Sequence, residues 1–327
     1  MTPSFTLTLA EIEAAAAAIA GRVHHTPLVR SATFSAQSGY EVFLKCENLQ
    51  KTGCFKPRGA LHRIAELSPE EARRGVLCAS AGNHAQGVAY AAAARGIPVT
   101  VVMPANAPQA KIDATRALGA SIVLEGEIFD DALAAALELQ RRTLATFVHP
   151  CTDRAVMAGA GTVGLEIVHD LPEVDAVVVP VGGGALLSGI ATAVRARRPE
   201  AVLFGVEPAS APAMERSLAA GRLVTLESAR SIADGMAGRA VFQVTLDHVR
   251  RLCAGVLLVS DAEILAAIRL LLSRAKLLTE GAGAAPLAAI LRGLPGVTPG
   301  ARVVAVLSGG NQDLDLLAGW IRDGLPG

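Results

Sequence analysis

Short apolar runs rich in β-branched residues alternate with alanine-rich stretches of helical period along most of the chain. The runs predict strands at 42–46, 76–80, 99–103, 121–124, 176–180, 202–206 and 303–307. Helices are predicted between and after them, at 83–95, 109–118, 129–142, 186–197 and 313–323. Alternation of this kind means βαβ units, hence an α/β fold with a mostly parallel, doubly wound sheet flanked by helices. Two capping boxes add helix starts: Thr8 with Glu11, stapled by Leu7 and Ile12, and Ser260 with Glu263, opening a helix through Ser273. The strand–helix units between Gly75 and Val148 are compact enough to form a subdomain inserted in a larger one.

Composition narrows the core. Apolar residues are 51% of the 327 and aromatic ones only 3%, so the interior must be Ala, Val, Leu and Ile, as in a parallel sheet packed between helices. Thirty acidic side chains cancel thirty basic ones, and no basic run is interleaved with aromatics, so nucleic acid is not an expected partner. No segment approaches about 20 uncharged apolar residues, so no membrane span is expected. Glu11 and Glu13 interrupt "AEIEAAAAAIAG" where a signal-peptide core would be apolar. Cys46, Cys54, Cys78, Cys151 and Cys253 are odd in number, scattered and without CxxC spacing. That predicts reduced thiols in a cytoplasmic protein rather than disulfides or zinc. A small molecule is left as the expected partner.

Three glycine-bearing loops follow predicted strands: "SAGNHAQG" (80–87), "VGGGALLSG" (181–189) and "LSGGNQD" (307–313). Ligands of open α/β sheets bind beyond the carboxyl ends of strands, where such loops gather. In the middle loop, successive N–H groups of Gly182, Gly183, Gly184 and Ala185 lead straight into a helix, which makes an anion nest suited to a phosphate. A dinucleotide site would need a third glycine at 187, which is Leu187, although Glu207 stands where a ribose-binding acid could. A nucleotide-dependent oxidoreductase is therefore a partial match, and no Gly-Lys-Ser/Thr supports a P-loop. Lys56, one of five lysines, sits between Phe55 and Pro57 in the uncharged setting of "TGCFKP", where a helix is about to begin. A phosphate cradle and an amine whose free form is populated by burial are what pyridoxal phosphate requires. Lys45, alternating with Phe43, is expected on a solvated or salt-bridged face.

The blocks "KCENLQKTGCFKPRGA", "SAGNHAQGVAYAA", "VVVPVGGGALLSGIA", "IADGMA", "EGAGAAPLAA" and "LSGGN" occur in order from about residue 25 to residue 311. Together they resemble the serine/threonine dehydratase and serine racemase family, pyridoxal-phosphate enzymes of the tryptophan-synthase-β fold (fold type II). The resemblance is strongest to the threonine dehydratase-like members. It implies a large cofactor-binding domain of residues 1–74 and 148–327, a small inserted α/β domain of 75–147, and a homodimer or higher homo-oligomer. It also implies roles. Lys56 would hold pyridoxal 5'-phosphate as a Schiff base and later remove the substrate α-proton. Phe55 would lie against the pyridine ring, Asn83 would bond its 3-oxygen, Ser308 would face its nitrogen, and Glu280 would sit nearby. The backbone of Gly182, Gly183, Gly184, Ala185 and Leu186 would hold the phosphate. Ser80, Ala81, Gly82, Asn83 and His84 would surround the substrate carboxylate, largely through main-chain N–H groups. The reaction implied is α-proton abstraction and β-elimination of water from a β-hydroxy-α-amino acid, giving a 2-oxo acid and ammonia. A hydroxyl facing the pyridine nitrogen leaves the ring a weaker electron sink than a carboxylate would, which favours prompt loss of the β-hydroxyl.

Several positions depart from the family pattern. Ala81 replaces the second serine of serine racemases, which favours dehydration and leaves a racemase as the alternative. Cys54 replaces the usual serine and is expected to be a small buried residue. Ala185 replaces a fourth glycine, where a left-handed backbone would be strained. Cys151 stands where threonine dehydratases often carry a bulky aromatic. Its small side chain would open the pocket around the β-substituent and admit phenylserine beside threonine and serine. Glu207 matches one ligand of the family's cation, but the second acid is replaced by Ala213, so a mono- or divalent cation is left open. The chain ends soon after "LSGGN", and isoleucine feedback is not expected.

Overall fold

The five residues Ala176–Pro180 are buried on both faces, as a central strand of a parallel sheet covered by helices must be. They belong to a computed structural model that describes residues 5–325. In chain order the strands are β1 Leu28–Arg30, β2 Glu41–Lys45, β3 Val76–Ala79, β4 Val99–Met103, β5 Ser121–Leu124, β6 Thr146–Phe147, β7 Ala176–Pro180, β8 Val202–Pro208, β9 Gly255–Val259 and β10 Arg302–Val306. One sheet has six strands in the order β1-β2-β10-β7-β8-β9, and the other has four in the order β5-β4-β3-β6. All pairings are parallel except β1 with β2, an antiparallel edge. The four-stranded sheet falls wholly within residues 76–147, and the six-stranded sheet draws its strands from both flanking regions.

All seven predicted strands form, with ends shifted by at most two residues. The three that the pattern did not single out are two very short ones, β1 and β6, and β9. The run "GVLLV" of β9 is one whose periodicity does not separate strand from helix. Both capping boxes form, and Leu7 and Ile12 share a buried cluster. The helix opened by Ser260 runs Asp261–Leu270 and then passes into a π-helical turn, Leu271–Ala275. Among the described residues no helix is long and apolar enough to cross a membrane.

Two long helices escaped the sequence pattern, Arg154–Asp170 and Gly281–Arg292. Glycine is a poor helix former, and "AGAGTVG" hid the first of them. Its glycines serve packing instead. A Cβ at Gly159 would stand 2.5 Å from the Arg58 carbonyl, and one at Gly164 would stand 2.9 Å from that of Ile190. From the other side, Cβ atoms at Gly59 and Gly189 would fall 2.6 Å from the carbonyls of Val156 and Met157. Three helices, Lys56–Ala65, Arg154–Asp170 and Ala185–Arg197, thus approach backbone to backbone. Gly159→Ala is expected to cost about 1–3 kcal/mol through overpacking. Gly319→Ala, on the Leu314–Asp323 helix with nothing within 4 Å of the new methyl, is expected to add about 0.5–1 kcal/mol. Denaturant unfolding of both variants beside the parent chain checks the pair, and equal effects would contradict the packing account.

Candidate active site

Strands β2, β10 and β7 lie side by side and parallel, so their carboxyl ends leave the sheet at one edge. The segment after β2 carries Lys56, the one after β10 carries Ser308, and the one after β7 carries the three glycines. The end of β3, in the other sheet, supplies Ser80, Ala81 and Gly82. A cavity of about 810 Å³ opens between them. Phe55, Lys56, Ser80, Ala81, Gly82, Asn83, His84, Cys151, the loop from Gly182 to Leu186, Glu280 and Ser308 all line it. Of the residues singled out in the sequence for the site, Glu207 alone lies elsewhere.

Lys56 is placed by the backbone around it. Cys54 forms an antiparallel bridge with Gly309, and Phe55 N donates to the Ser308 carbonyl at 3.0 Å. Lys56 is then the first residue of its helix with Pro57 second, a position where the missing proline N–H costs nothing. Lys56 Nζ lies 4.8 Å from the centroid of the Phe55 ring. Cys54 is fully buried, and burial pushes its thiol up to about 12, so it packs as a small apolar residue.

The glycine loop is a cradle that side chains would fill. A Cβ at Gly183 would sit 2.1 Å from Cys151 Sγ, and one at Gly182 would sit 3.0 Å from the Gly235 carbonyl. Gly184, at φ +92°, takes the left-handed turn and caps the helix that begins at Ala185. The strain expected at Ala185 is therefore absent, because the left-handed position falls one residue earlier. Bare N–H groups at the positive end of a 13-residue helix suit a phosphate. With an amine in the same cavity and a buried hydroxyl at Ser308, the donor set fits pyridoxal phosphate. Cys151 borders this cradle, its sulfur against Gly183, so its small size makes room beside the phosphate loop.

Asn83 is held by two partners. Its Nδ2 donates to both oxygens of Glu280 at 2.8 and 3.0 Å, and its Oδ1 accepts from Asn311 Nδ2 at 2.7 Å. Burial raises the Glu280 pKa from 4.5 to about 7, against the pull of the Asn83 bonds. His84 Nε2 faces the Val148 carbonyl at 2.8 Å. A carbonyl only accepts, so that nitrogen carries the proton. Burial, then the charge of Lys56, drives the His84 pKa down to about 3. The neutral ring thus has its one N–H occupied and none left for a carboxylate, so any carboxylate contact falls to the main chain.

Other expectations change. Lys45 is salt-bridged, one of its two expected settings, with Glu166 at 2.6 Å, but it is fully buried and not on a solvated face. Glu207 lies outside the cavity, near the carboxyl end of β8. Its two oxygens accept from the Met214 and Glu215 N–H groups at 2.9 Å each, capping the Ala213–Ala220 helix. Among the described residues no group of three or more His, Cys, Asp or Glu could hold a metal. Asn311 was not singled out, although it sits in the "LSGGN" block. Lys111–Asp234 at 3.0 Å and Arg239–Asp130 at 3.7 Å, bridges between residues that line the cavity, join segments more than 100 residues apart and left no local signal.

The chain matches the family described as pyridoxal-phosphate dependent enzyme over residues 19–309. It is 48% identical over 319 residues to an L-threonine ammonia-lyase of Thermotoga maritima, covering 98% of this chain and 79% of that protein. It is 43% identical to a catabolic L-threonine dehydratase of Staphylococcus aureus, covering 98% and 93% of the two chains. The solved structure of maize serine racemase superposes with a TM-score of 0.93 at 35% identity, covering 97% of each chain.

Glu280 yields a pH test. Because its folded pKa is raised, its contribution is fully present below about pH 4.5 and is lost as pH rises through about 7. Relative to Glu280→Gln, the wild-type chain should lose about 3 kcal/mol of stability over that span and none beyond it. Unfolding of both proteins across pH 4 to pH 8.5, about the range needed, checks this. A constant difference would contradict it.

Proposed function

The chain belongs to the pyridoxal-phosphate dependent enzymes, and on that premise we propose that it converts threonine to a 2-oxo acid and ammonia. The observation that carries the proposal is the single cavity that holds Lys56 together with the glycine cradle. Relatives named for threonine, 43–48% identical over nearly the whole chain, support the choice of substrate. The cofactor, when bound, supplies an electron sink conjugated to the substrate nitrogen. Lys56 would anchor it, and once displaced by the substrate amine would take the α-proton as general base. The N–H groups of residues 182–186 would hold the phosphate, Phe55 would lie against the ring, and Ser308 would donate to its nitrogen. Asn83, held by Glu280 and Asn311, would turn one amide N–H from the Glu280 carboxylate to the ring's 3-oxygen. Ser80, Ala81, Gly82 and the first N–H groups of the Asn83–Ala93 helix would bind the substrate carboxylate, a helix N-terminus being suited to an anion. The water lost at Cβ is balanced by the one consumed when the released enamine hydrolyses.

Ala81 presents a methyl group to the cavity, which neither holds nor returns a proton, so elimination is favoured over racemisation. Serine and phenylserine belong to the same proposal. A β-aryl ring would find apolar cavity lining at Ile128 and Phe129, which are 53% and 47% exposed. We further propose that residues 75–147 act as a small domain against 1–74 with 148–327. The five free cysteines support a reducing cytoplasmic setting, and a homodimer is proposed on the family resemblance.

Purified holoenzyme should release ammonia and a 2-oxo acid from threonine, with serine and phenylserine assayed beside it. Lys56→Ala should abolish the cofactor's absorbance band near the visible edge and lower kcat/KM by about 10³-fold or more. Net conversion of L- to D-amino acid without ammonia would overturn the proposal in favour of a racemase.

A further inference from the structure

Two residues beyond Lys56, Arg58 is wholly buried, and so is Lys45. Arg58 Nε and Nη2 donate to the two oxygens of Glu47 at 2.8 and 2.7 Å. Nη1 and Nη2 also donate to the two oxygens of Glu166 at 2.6 and 2.9 Å. Thr162 Oγ1 and the His24 carbonyl accept the remaining contacts at 3.2 Å each. Lys45 Nζ reaches Glu166 at 2.6 Å and donates to the Thr26 carbonyl at 2.7 Å, and Thr26 Oγ1 closes the ring on Glu47 at 2.5 Å. Two cations thus face two carboxylates at hydrogen-bond distance, with a third, Asp170, 3.7 Å from Lys45 Nζ. Burial pushes Glu166 up, but Arg58 and Lys45 outweigh it and hold its carboxyl below the usual range.

Stability does not explain this arrangement. A buried ion network is often no better than apolar packing of the same volume, and a cation in the first turn of a helix opposes the helix dipole. What a planar guanidinium held by two bidentate carboxylates does supply is orientation. Glu47 belongs to the segment leaving β2, Thr162 and Glu166 to the Arg154–Asp170 helix, and Arg58 to the helix that Lys56 begins. The same helix is pressed from its other contacts by glycine backbones: a Cβ at Gly87 would fall 3.0 Å from Lys56 Cβ, and one at Gly159 would fall 2.6 Å from Gly59 Cα. Neither packing contact by itself sets the rotation of the helix about its axis, whereas two forked pairs do.

We infer that Arg58 is a positioning residue for Lys56: its clamp on Glu47 and Glu166 sets the rotation and height of the helix whose first residue carries the reacting amine. The inference rests on Lys56 being that amine. Arg58→Lys keeps the charge and removes the paired fork. In the holoenzyme, kcat for threonine should fall about 10²-fold with KM changing less than kcat. The midpoint of the pH titration of the visible cofactor band should move by several tenths of a pH unit or more, with Tm recorded alongside. A lowered Tm with kcat of the folded protein and the band midpoint at wild-type values would overturn the inference. Should Arg58→Lys fail to fold, Glu47→Gln keeps the shape and weakens one arm, and the same two outcomes decide. A cofactor band that survives Lys56→Ala would instead remove the premise, leaving the two failures distinguishable.

Discussion

Parallel pairing of β2, β10 and β7 is the constraint on which the site depends. Strands 2 and 10 are separated by some 250 residues of chain, yet Val306 pairs with Lys45 and Ala305 with Val178. Because the register is parallel, the carboxyl ends of all three emerge together, and the amine, the hydroxyl and the glycine cradle emerge with them. Backbone bonds then stitch the exits to each other: Leu307 N to the Lys45 carbonyl, Asn48 N to that of Leu307, Phe55 N to that of Ser308 and Gly310 N to that of Gly53. Side chains add to this stitching: Asn311 Nδ2 donates to the Thr52 carbonyl at 2.8 Å, and Lys111–Asp234 joins two segments of the cavity wall.

Two kinds of contact refine that frame to the tolerance catalysis demands. Glycines 59, 159, 164 and 189 let helices touch through their backbones, which leaves little room for sliding. The charged ring around Arg58 adds direction to contacts that are otherwise only close. Dispersion and burial are non-directional, whereas a forked ion pair has one good geometry. Asn83 repeats the logic on a smaller scale, its amide fixed at one end by Glu280 and at the other by Asn311. Bonds of this sort pre-orient groups before a ligand arrives, which is where much of an enzyme's rate advantage resides.

Local signals made most of the frame legible in the sequence. The strands show as β-branched runs, the two capping boxes fix helix starts, and residues 182–184 betray a backbone surface because nothing larger than hydrogen fits there. What escaped depends on partners distant in sequence. The Arg154–Asp170 helix is written in glycines whose value appears only against Arg58 and Ile190. Lys45 has the alternation of an exposed strand residue, and partners distant in sequence, Glu166 foremost and 121 residues away, make its burial tolerable. Glu207 stands near the end of a strand as a ligand might, and its oxygens also accept N–H groups of the helix that follows, which no local pattern announced. That the left-handed turn falls on Gly184, which spares Ala185 the strain it would have met there, is a one-residue placement finer than pattern reading resolves.

One covalent attachment underlies the proposed chemistry, and chemical trapping tests it most directly. The holoenzyme would be treated with borohydride, digested and mapped by mass spectrometry for the pyridoxyl group. The group is expected on the peptide containing Lys56, at that residue alone and in stoichiometric yield. Attachment at Lys45, Lys51, Lys111 or Lys276, or no attachment from a chain that has taken up the cofactor, would contradict the account.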